Sequence, residues 1–381
     1  MRADLLTLLS LCATTVLSAP YIHKRSFDTF DPVTVFTPPS DYNSPYVLYA
    51  RTVQLTNGDL LSTWENYSPE PPLVYFPIFK STDGGETWTH ISNITDQANG
   101  WGMRYQPDIF QLTEAIGDYP SGTILCAGNS IPTDLSQTQI DMYASTDLGY
   151  TWEFVSHIAL GGEAEPTNGL TPVWEPFIMT YNSQVVVYYS DQRANTTHGQ
   201  KLVHQVSSDL LTWDDPVDDV AYSTYTDRPG MTTVTKLSNG SYLMTYEYGG
   251  GPASYTSSGY HFPIYYRLNT NPLDFNSSPD HYIKAGSTVP TSSPYVVYTS
   301  AGNENGTIVV SAASTSSVFV NQALGHPDAW VRVSTPAAIA YSRSLRIMQD
   351  QPTHLLIAGA GLNGNYDKNV TVAVMDIIDA L

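Results

Sequence analysis

The sequence predicts an all-β chain folded as a six-bladed β-propeller with four antiparallel strands per blade. Three observations carry this. A hairpin signal recurs about every sixty residues. A second, independent motif recurs in phase with it. Helical 3.6-residue periodicity is nearly absent, and short apolar runs such as Val185 to Tyr189 suit strands buried between neighbouring sheets.

The hairpin signal is a turn followed by a short apolar strand. Asn57-Gly58 precedes Leu60-Leu61-Ser62-Thr63-Trp64, and Ser121-Gly122 precedes Ile124-Leu125-Cys126-Ala127. Asn182-Ser183 leads into Val185 to Tyr189, Asn239-Gly240 into Tyr242 to Tyr246, and Asn305-Gly306 into Ile308 to Ser311. The steps are 64, 61, 57 and 66 residues, with a shorter last step to Gln351-Pro352-Thr353 before Leu355 to Ala358. Asn-Gly favours the type I′ turn of twisted hairpins. Six hairpins at this spacing leave each blade room for four strands.

The second motif is Ser-x-Asp-x-Gly-x-Thr-Trp. It stands at Ser81 to Trp88 and at Ser145 to Trp152, with a shortened copy at Ser207 to Trp213. The aspartates Asp83, Asp147 and Asp209 are 64 and 62 residues apart, matching the hairpin period. Each motif comes about 25 residues after its hairpin and so falls on the turn from third to fourth strand. Asp can accept backbone N–H bonds in a tight turn, and Gly permits the turn. The motif resembles the Asp-box of sialidase-like propellers, a structural element.

No linker splits the chain after its first residues. Residues 1–19 read as a secretory signal, with Arg2, the short apolar run Leu5 to Leu17, and the small residues Ser18 and Ala19. Lys24-Arg25 could end a short propeptide, so residues 26–381 are expected to form one catalytic domain. Residues 26–44 would be a lead-in or would supply a closing strand. Seven Asn-x-Ser/Thr sequons (Asn66, Asn93, Asn195, Asn239, Asn276, Asn305, Asn369) suit a secreted, extracellular glycoprotein, and glycans over the outer surface favour a monomer. Cys12 lies in the signal, so Cys126 alone remains and no internal disulfide or cysteine zinc site is expected.

The full chain carries a formal charge of −20. Loss of residues 1–25 would leave 13 basic and 35 acidic residues, or −22. Such a charge repels nucleic acid and anionic membranes and disfavours polyanionic substrates. Few charged residues (14%) beside 27 Tyr and 7 Trp suit a neutral carbohydrate. No His-x-x-x-His or dense Asp loop appears, so no metal or cofactor is expected; His204, His261 and His326 stand isolated.

Propeller sites form at the axial mouth, where inner strands begin and second strands end. Strand starts often carry a residue before Pro: Ser44-Pro45, Gln106-Pro107, Glu175-Pro176, Arg228-Pro229 and Ser293-Pro294. Of these, only Glu175 is a carboxylate. Second-strand ends align seven residues past each turn, at Glu65, Asn129, Ser190, Glu247, Ala313 and Gly359. Glu247 precedes Gly249-Gly250-Gly251, which could open around a ligand or form an ordinary loop. Glu175 and Glu247 thus lie at the mouth on adjacent blades, and glycoside hydrolysis commonly uses two carboxylates across the bond. Tyr341 begins the sixth blade and could reach the same mouth. Arg51, Trp101, Arg104, Asp108, Asp191, Arg228 and Tyr266 are further candidates for holding sugar hydroxyls. Trp174 could stack on a sugar face or simply pack.

Glu175 in Trp-Glu-Pro-Phe, Glu247 before the glycine run, the Asp-boxes and the signal together resemble glycoside hydrolase family 93 over the whole mature chain. The resemblance implies a secreted fungal exo-α-1,5-L-arabinanase on a six-bladed propeller, releasing arabinobiose from the non-reducing end of linear plant cell-wall arabinan with retention. It implies Glu175 as acid/base, Glu247 as nucleophile and Tyr341 as an assisting residue. Two other readings stand beside it. A sialidase would need an arginine cluster, for which Arg51, Arg228 and Arg343 are available, with Tyr341 as nucleophile. Against it, Ala50-Arg51-Thr52-Val53 stands where Arg-Ile-Pro is usual. A glycan-binding lectin would repeat similar mouth residues in every blade, whereas these differ from blade to blade.

Overall fold

The computed structural model describes residues 27–256, 259–361 and 368–381. The expected signal (1–19) and the 20–25 segment lie outside the described residues. Six four-stranded antiparallel sheets form a propeller. From axis to rim, blade 1 comprises Val47–Gln54, Leu60–Asn66, Phe76–Ser81 and Thr89–Ile94. Blade 2 comprises Met103–Gln111, Ile124–Ser130, Thr138–Ser145 and Glu153–Gly161. Blade 3 comprises Val173–Tyr181, Gln184–Asp191, Lys201–Ser207 and Val217–Val220. Blade 4 comprises Arg228–Lys236, Tyr242–Gly249, Ile264–Asn269 and His281–Tyr282, and carries the small ribbon Tyr255–Thr256 with Gly259–Tyr260 as an insertion. Blade 5 comprises Tyr295–Thr299, Thr307–Ser311, Val318–Asn321 and Trp330–Val333.

Blade 6 closes the ring. Its three inner strands, Ser344–Met348, Gln351–Ala360 and Val370–Asp376, come from the end of the chain. Its rim strand, Phe30–Phe36, comes from the start and pairs with Val370–Asp376. The early segment is therefore the closing strand. Joining both ends of the chain in one sheet removes the open edge a linear array of blades would leave.

Apolar faces pack blade against blade. Val185 to Tyr189 are fully buried, as the uninterrupted run requires. Trp64 packs with Leu356 and Val372 across blades 1 and 6. Fully burying one such side chain contributes roughly 1.5–3 kcal/mol.

The hairpin turns differ from the expected type. In blade 1 the Leu55 N–H donates to Asp59 O at 2.8 Å, the Gly58 N–H donates to Leu55 O at 2.8 Å, and Gly58 has φ 89° while Asn57 does not take positive φ. This is a type I turn closed by a glycine bulge. Gly122 and Gly240 close blades 2 and 4 with the same pair of backbone bonds. The type I′ geometry appears in blade 3 at Asn182 (φ 50°) and Ser183 (φ 56°), where no glycine is present. Loop length explains this: a two-residue loop needs both central residues left-handed, whereas the longer loops need only the last. The blade 6 turn lies at Gln349-Asp350 rather than at 351–353. Pro352 falls inside the adjoining irregularity, where it costs no ladder bond.

The Ser-x-Asp motifs occupy the turns from third to fourth strand, on the face opposite the mouth. Asp147 Oδ1 accepts the Thr151 N–H at 2.9 Å, Ser145 Oγ accepts the Gly149 N–H at 2.9 Å, and the Trp152 ring N–H donates to Gly149 O at 3.1 Å. Residues 81–88 repeat this closely. In the shortened copy Asp209 accepts the N–H groups of Leu211 and Thr212, both at 2.8 Å, which holds its carboxyl down at about 2. None of these aspartates lines the mouth, so their role is to close turns.

Candidate active site

One device shapes the mouth. Each inner strand carries, at or just before its first residues, at least one residue with left-handed backbone: Tyr49 (φ 58°, after Tyr46 at 77°), Gln106 (58°), Glu175 (62°), Met231 (56°), Ser293 (53°, after Ser292 at 66°) and Ser342 (56°). In blades 1 to 4 it sits in a bulge where the ladder slips, as between Trp174 and Phe177 in blade 3. For a residue with a Cβ this conformation costs on the order of 1–2 kcal/mol. Bulges of this kind re-aim side chains beside functional sites. The Pro alignment therefore holds in blades 2, 3 and 5 and fails in blades 1 and 4. There the special residues are Tyr49 and Met231 rather than Ser44 and Arg228.

The residue preceding each bulge pairs with the second-strand end: Leu48 with Glu65, Tyr105 with Asn129, Trp174 with Ser190, and Gly230 with Glu247. The left-handed residue turns its N–H toward the preceding blade. Gln106 N donates to Glu65 Oε1 at 3.0 Å, Met231 N to Glu175 Oε2 at 2.8 Å, and Ser293 N to Glu247 Oε2 at 2.9 Å. Glu175 N donates to Gln106 Oε1 at 3.0 Å. Backbone thus fixes the mouth carboxylates from the neighbouring blade.

These groups line a cavity of about 510 Å³, whose walls include Glu65, Glu175, Glu247, Tyr341, Arg228 and Trp174. Each of Glu175 and Glu247 is held by Oε2. Ser190 Oγ adds a 2.7 Å bond to Glu175 Oε2. A methyl group placed on Gly230 would lie 3.6 Å from Glu175 Oε2 and 3.7 Å from Glu247 Oε1. Those two oxygens are therefore separated by at most the sum of these distances, about 7 Å.

Burial raises all three carboxyls. Glu247 is pushed up to about 7 by burial and then by the charge of Glu175. Glu65 reaches about 7 through burial, countered by the Tyr67 hydroxyl and the Gln106 N–H. Glu175 is also raised by burial, and its bonds from Ser190 and Met231 oppose the rise. Two close, enclosed carboxylates resist ionising together, so the pair retains a proton where isolated carboxyls have lost theirs. One can then give a proton while the other carries charge. Tyr341 points its hydroxyl at Met231 Sδ (3.5 Å), and burial with the two glutamates holds the phenol well above its usual range. It is a proton-bearing donor rather than a phenolate.

The structure brings Glu175, Glu247, Tyr341, Trp174 and Arg228 together and places the other candidates elsewhere. Arg51 is 3% exposed beneath the mouth, bonded to Ser342 and 3.7 Å from Asp108, which is equally buried. Both come after their bulges, which turns them into the core of the ring. Arg104 forks onto Glu70 at 2.9 and 3.1 Å. Asp191 is taken by Arg193 at 2.7 Å. Tyr266 lies on a third strand, fully buried, donating to Gly325 O at 2.8 Å. Trp101 lines a separate cavity with Pro132 and Asp134. Sequence reasoning left out Glu65, Gln106, Gln200, Tyr67 and Tyr105, which also line the main cavity. Glu65 and Gln106 already stood in the aligned mouth series.

The arginine cluster of the sialidase reading does not form. Arg51 is committed to Asp108 and Ser342, and fully buried Arg343 donates to the carbonyls of Ala312, Thr315, Ser316 and Ser317. Arg228 alone of the three lines the cavity, bonded to Asn168, Gln192 (3.1 Å) and Gln200 (2.9 Å).

Gly230 supplies a test of this geometry. A side-chain methyl there would stand 2.8 Å from Gln200 Nε2 and fill the gap between the two glutamates. Gly230→Ala is expected to keep the fold and to lower turnover at least about 100-fold, since small misplacements in a site cost that much. Circular dichroism with an activity assay checks it, and near-wild-type turnover would show that the gap is not where bond cleavage occurs.

No family model and no curated protein matches the chain. Among solved structures, the chain is similar to the GH93 α-L-arabinofuranosidase of Fusarium graminearum in complex with arabinobiose. Identity is 54%, covering 92% of this chain and 99% of that one, with a TM-score of 0.91. It is similar to a Penicillium chrysogenum α-L-arabinanase complexed with arabinobiose at 51% identity, covering 93% and 100%, with a TM-score of 0.90. The NanB sialidase of Streptococcus pneumoniae shares the fold alone, at 11% identity and a TM-score of 0.59 over 91% of this chain and 70% of that one.

Proposed function

The chain belongs to glycoside hydrolase family 93, and from that membership we propose that it is a secreted exo-α-1,5-L-arabinanase that releases arabinobiose from the non-reducing end of linear arabinan with retention. The observation that carries the reading is the pair Glu175 and Glu247 facing each other across Gly230. A separation no greater than about 7 Å suits direct attack by one carboxylate better than the wider gap that must also seat a water. Glu175, as acid/base, protonates the leaving oxygen. Glu247 attacks the anomeric carbon and forms a glycosyl-enzyme. Glu175 then takes a proton from the water that releases the sugar.

Other features support the finer reading. Ala164 N donates to Leu135 O at 2.7 Å, tying two loops into a wall on one side of the cavity, as action from a chain end requires. Arg228 is the one cation among the lining residues, against three buried or half-buried glutamates, which favours a neutral sugar. Asn93, Asn239 and Asn276 are exposed and Asn195, Asn305 and Asn369 are partly exposed, in keeping with a secreted glycoprotein monomer, whereas Asn66 is 2% exposed and unsuited to a glycan.

Product analysis tests the proposal: the protein is incubated with linear 1,5-α-arabinan and, separately, with a sialoside. Arabinobiose is expected as the sole early product, with its anomeric configuration retained by NMR at early times. A ladder of longer oligosaccharides would overturn exo action, and an inverted product would overturn the role of Glu247 as nucleophile. Sialic acid release would overturn the substrate class.

A further inference from the structure

Gln106 occupies the left-handed bulge position of blade 2, the counterpart of Glu175 in blade 3. Its backbone N–H is spent on Glu65. Its side-chain Oε1 accepts two bonds, from Glu175 N at 3.0 Å and from Asn129 Nδ2 at 3.0 Å. Asn129 is itself fixed, since the same Nδ2 donates to Val173 O at 3.2 Å and the residue is fully buried. Two donors aimed at one atom settle the amide orientation: that atom is the oxygen, and the NH₂ group points the other way.

Gln106 lines the cavity between Glu65 and Glu175. Among the described residues, Nε2 has no protein acceptor, and it is absent from the buried polar atoms that lack a partner. It is therefore a donor open to the cavity, on a side chain whose other end is pinned by framework. A sugar rich in hydroxyls supplies the acceptor such a group requires.

We propose that Gln106 has two roles that rest on the arabinanase reading: through Oε1 it positions the bulge that carries Glu175, and through Nε2 it donates to an oxygen of the sugar whose bond is cleaved. The first role acts on turnover and the second on sugar affinity. A side chain that merely stabilises the fold would move neither in the folded protein.

Gln106→Met keeps the length and removes both functions. Arabinobiose binding by calorimetry is expected to weaken about five- to tenfold, as loss of one hydrogen bond implies. Turnover on linear arabinan should fall at least about tenfold, because Glu175 loses its anchor. Gln106→Glu guards against a folding failure of the first variant. Its carboxylate still accepts from Glu175 and Asn129, so the bulge is preserved, yet it offers no NH₂ donor. This variant should also lose arabinobiose affinity. Its added negative charge should move the alkaline limb of the pH–rate profile upward, since a like charge holds the Glu175 proton more tightly. Unchanged arabinobiose affinity in folded Gln106→Met, or in Gln106→Glu at a pH where the new carboxyl is ionised, overturns the substrate contact, and unchanged turnover in Gln106→Met overturns the positioning role. Wild-type protein that neither binds arabinobiose nor cleaves arabinan overturns the functional reading itself, and this proposal with it.

Discussion

Glu247→Gln is expected to be inactive on every arabinoside, whereas Glu175→Gln should still cleave an aryl arabinoside whose leaving group departs without a proton. The difference comes from the roles. A nucleophile is needed whatever the leaving group, and its removal should lower turnover at least about 10⁴-fold. A general acid typically contributes about 10²–10⁴-fold, and only where the departing oxygen needs protonation. On linear arabinan both variants should therefore fail. On the activated substrate Glu175→Gln should show a fast first step, then slow release of the covalent intermediate. Glutamine retains an acceptor for the bonds from Met231 and Ser190 at position 175, and from Ser293 at 247, so both bulges should survive.

The same variants report on the charge coupling. Glu247 is held up at about 7 by burial and by its charged neighbour. Glu175→Gln removes that neighbour, so the pKa of Glu247 should fall, and NMR titration of the carboxyl checks it. An inverse substrate pattern, with Glu247→Gln sparing the aryl arabinoside, would exchange the two roles. Near-full activity on arabinan in either variant would remove that residue from the reaction.

The propeller was legible because its signals are local. Turn residues and the Ser-x-Asp motif repeat wherever a blade repeats, and the second-strand ends can be counted from the turns. That count located Glu247, and it also reached Glu65 and Ser190, which hold the mouth together. The bulges were not legible. Tyr49 and Met231 have no local preference for left-handed backbone, and tertiary packing imposes it. Each bulge breaks the two-residue alternation, so counting from the strand start mispoints every side chain beyond the bulge. Arg51 and Asp108 were misplaced for that reason and turn out to form a buried pair beneath the mouth. Tyr266 failed differently: its third-strand position sets it too far from the axis.

His204 was expected to stand alone, and instead it makes a fully enclosed pair with Asp219 between the outer strands of blade 3. The two are 2% and 0% exposed, and His204 Nδ1 lies 2.9 and 3.0 Å from the two carboxylate oxygens. Burial pushes the Asp219 carboxyl up to about 6, and the histidine opposes that rise. His204→Ala removes the group that compensates a buried acid. Breaking a buried pair from one side costs about 3–5 kcal/mol, chiefly because a charge is left without its partner. In a chain of this size the melting temperature should fall by roughly 4–7 °C. The buried acid, rather than the lost contact, is the source of that loss. His204→Ala with Asp219→Ala should therefore be no less stable than His204→Ala alone. Losses that simply add, to within about 0.5 kcal/mol, would show that the two side chains do not depend on each other. Both residues lie outside the glutamate cavity. Turnover per folded molecule should accordingly stay at the wild-type level in every variant of this cycle, which separates the stability of blade 3 from the chemistry its inner strand supports.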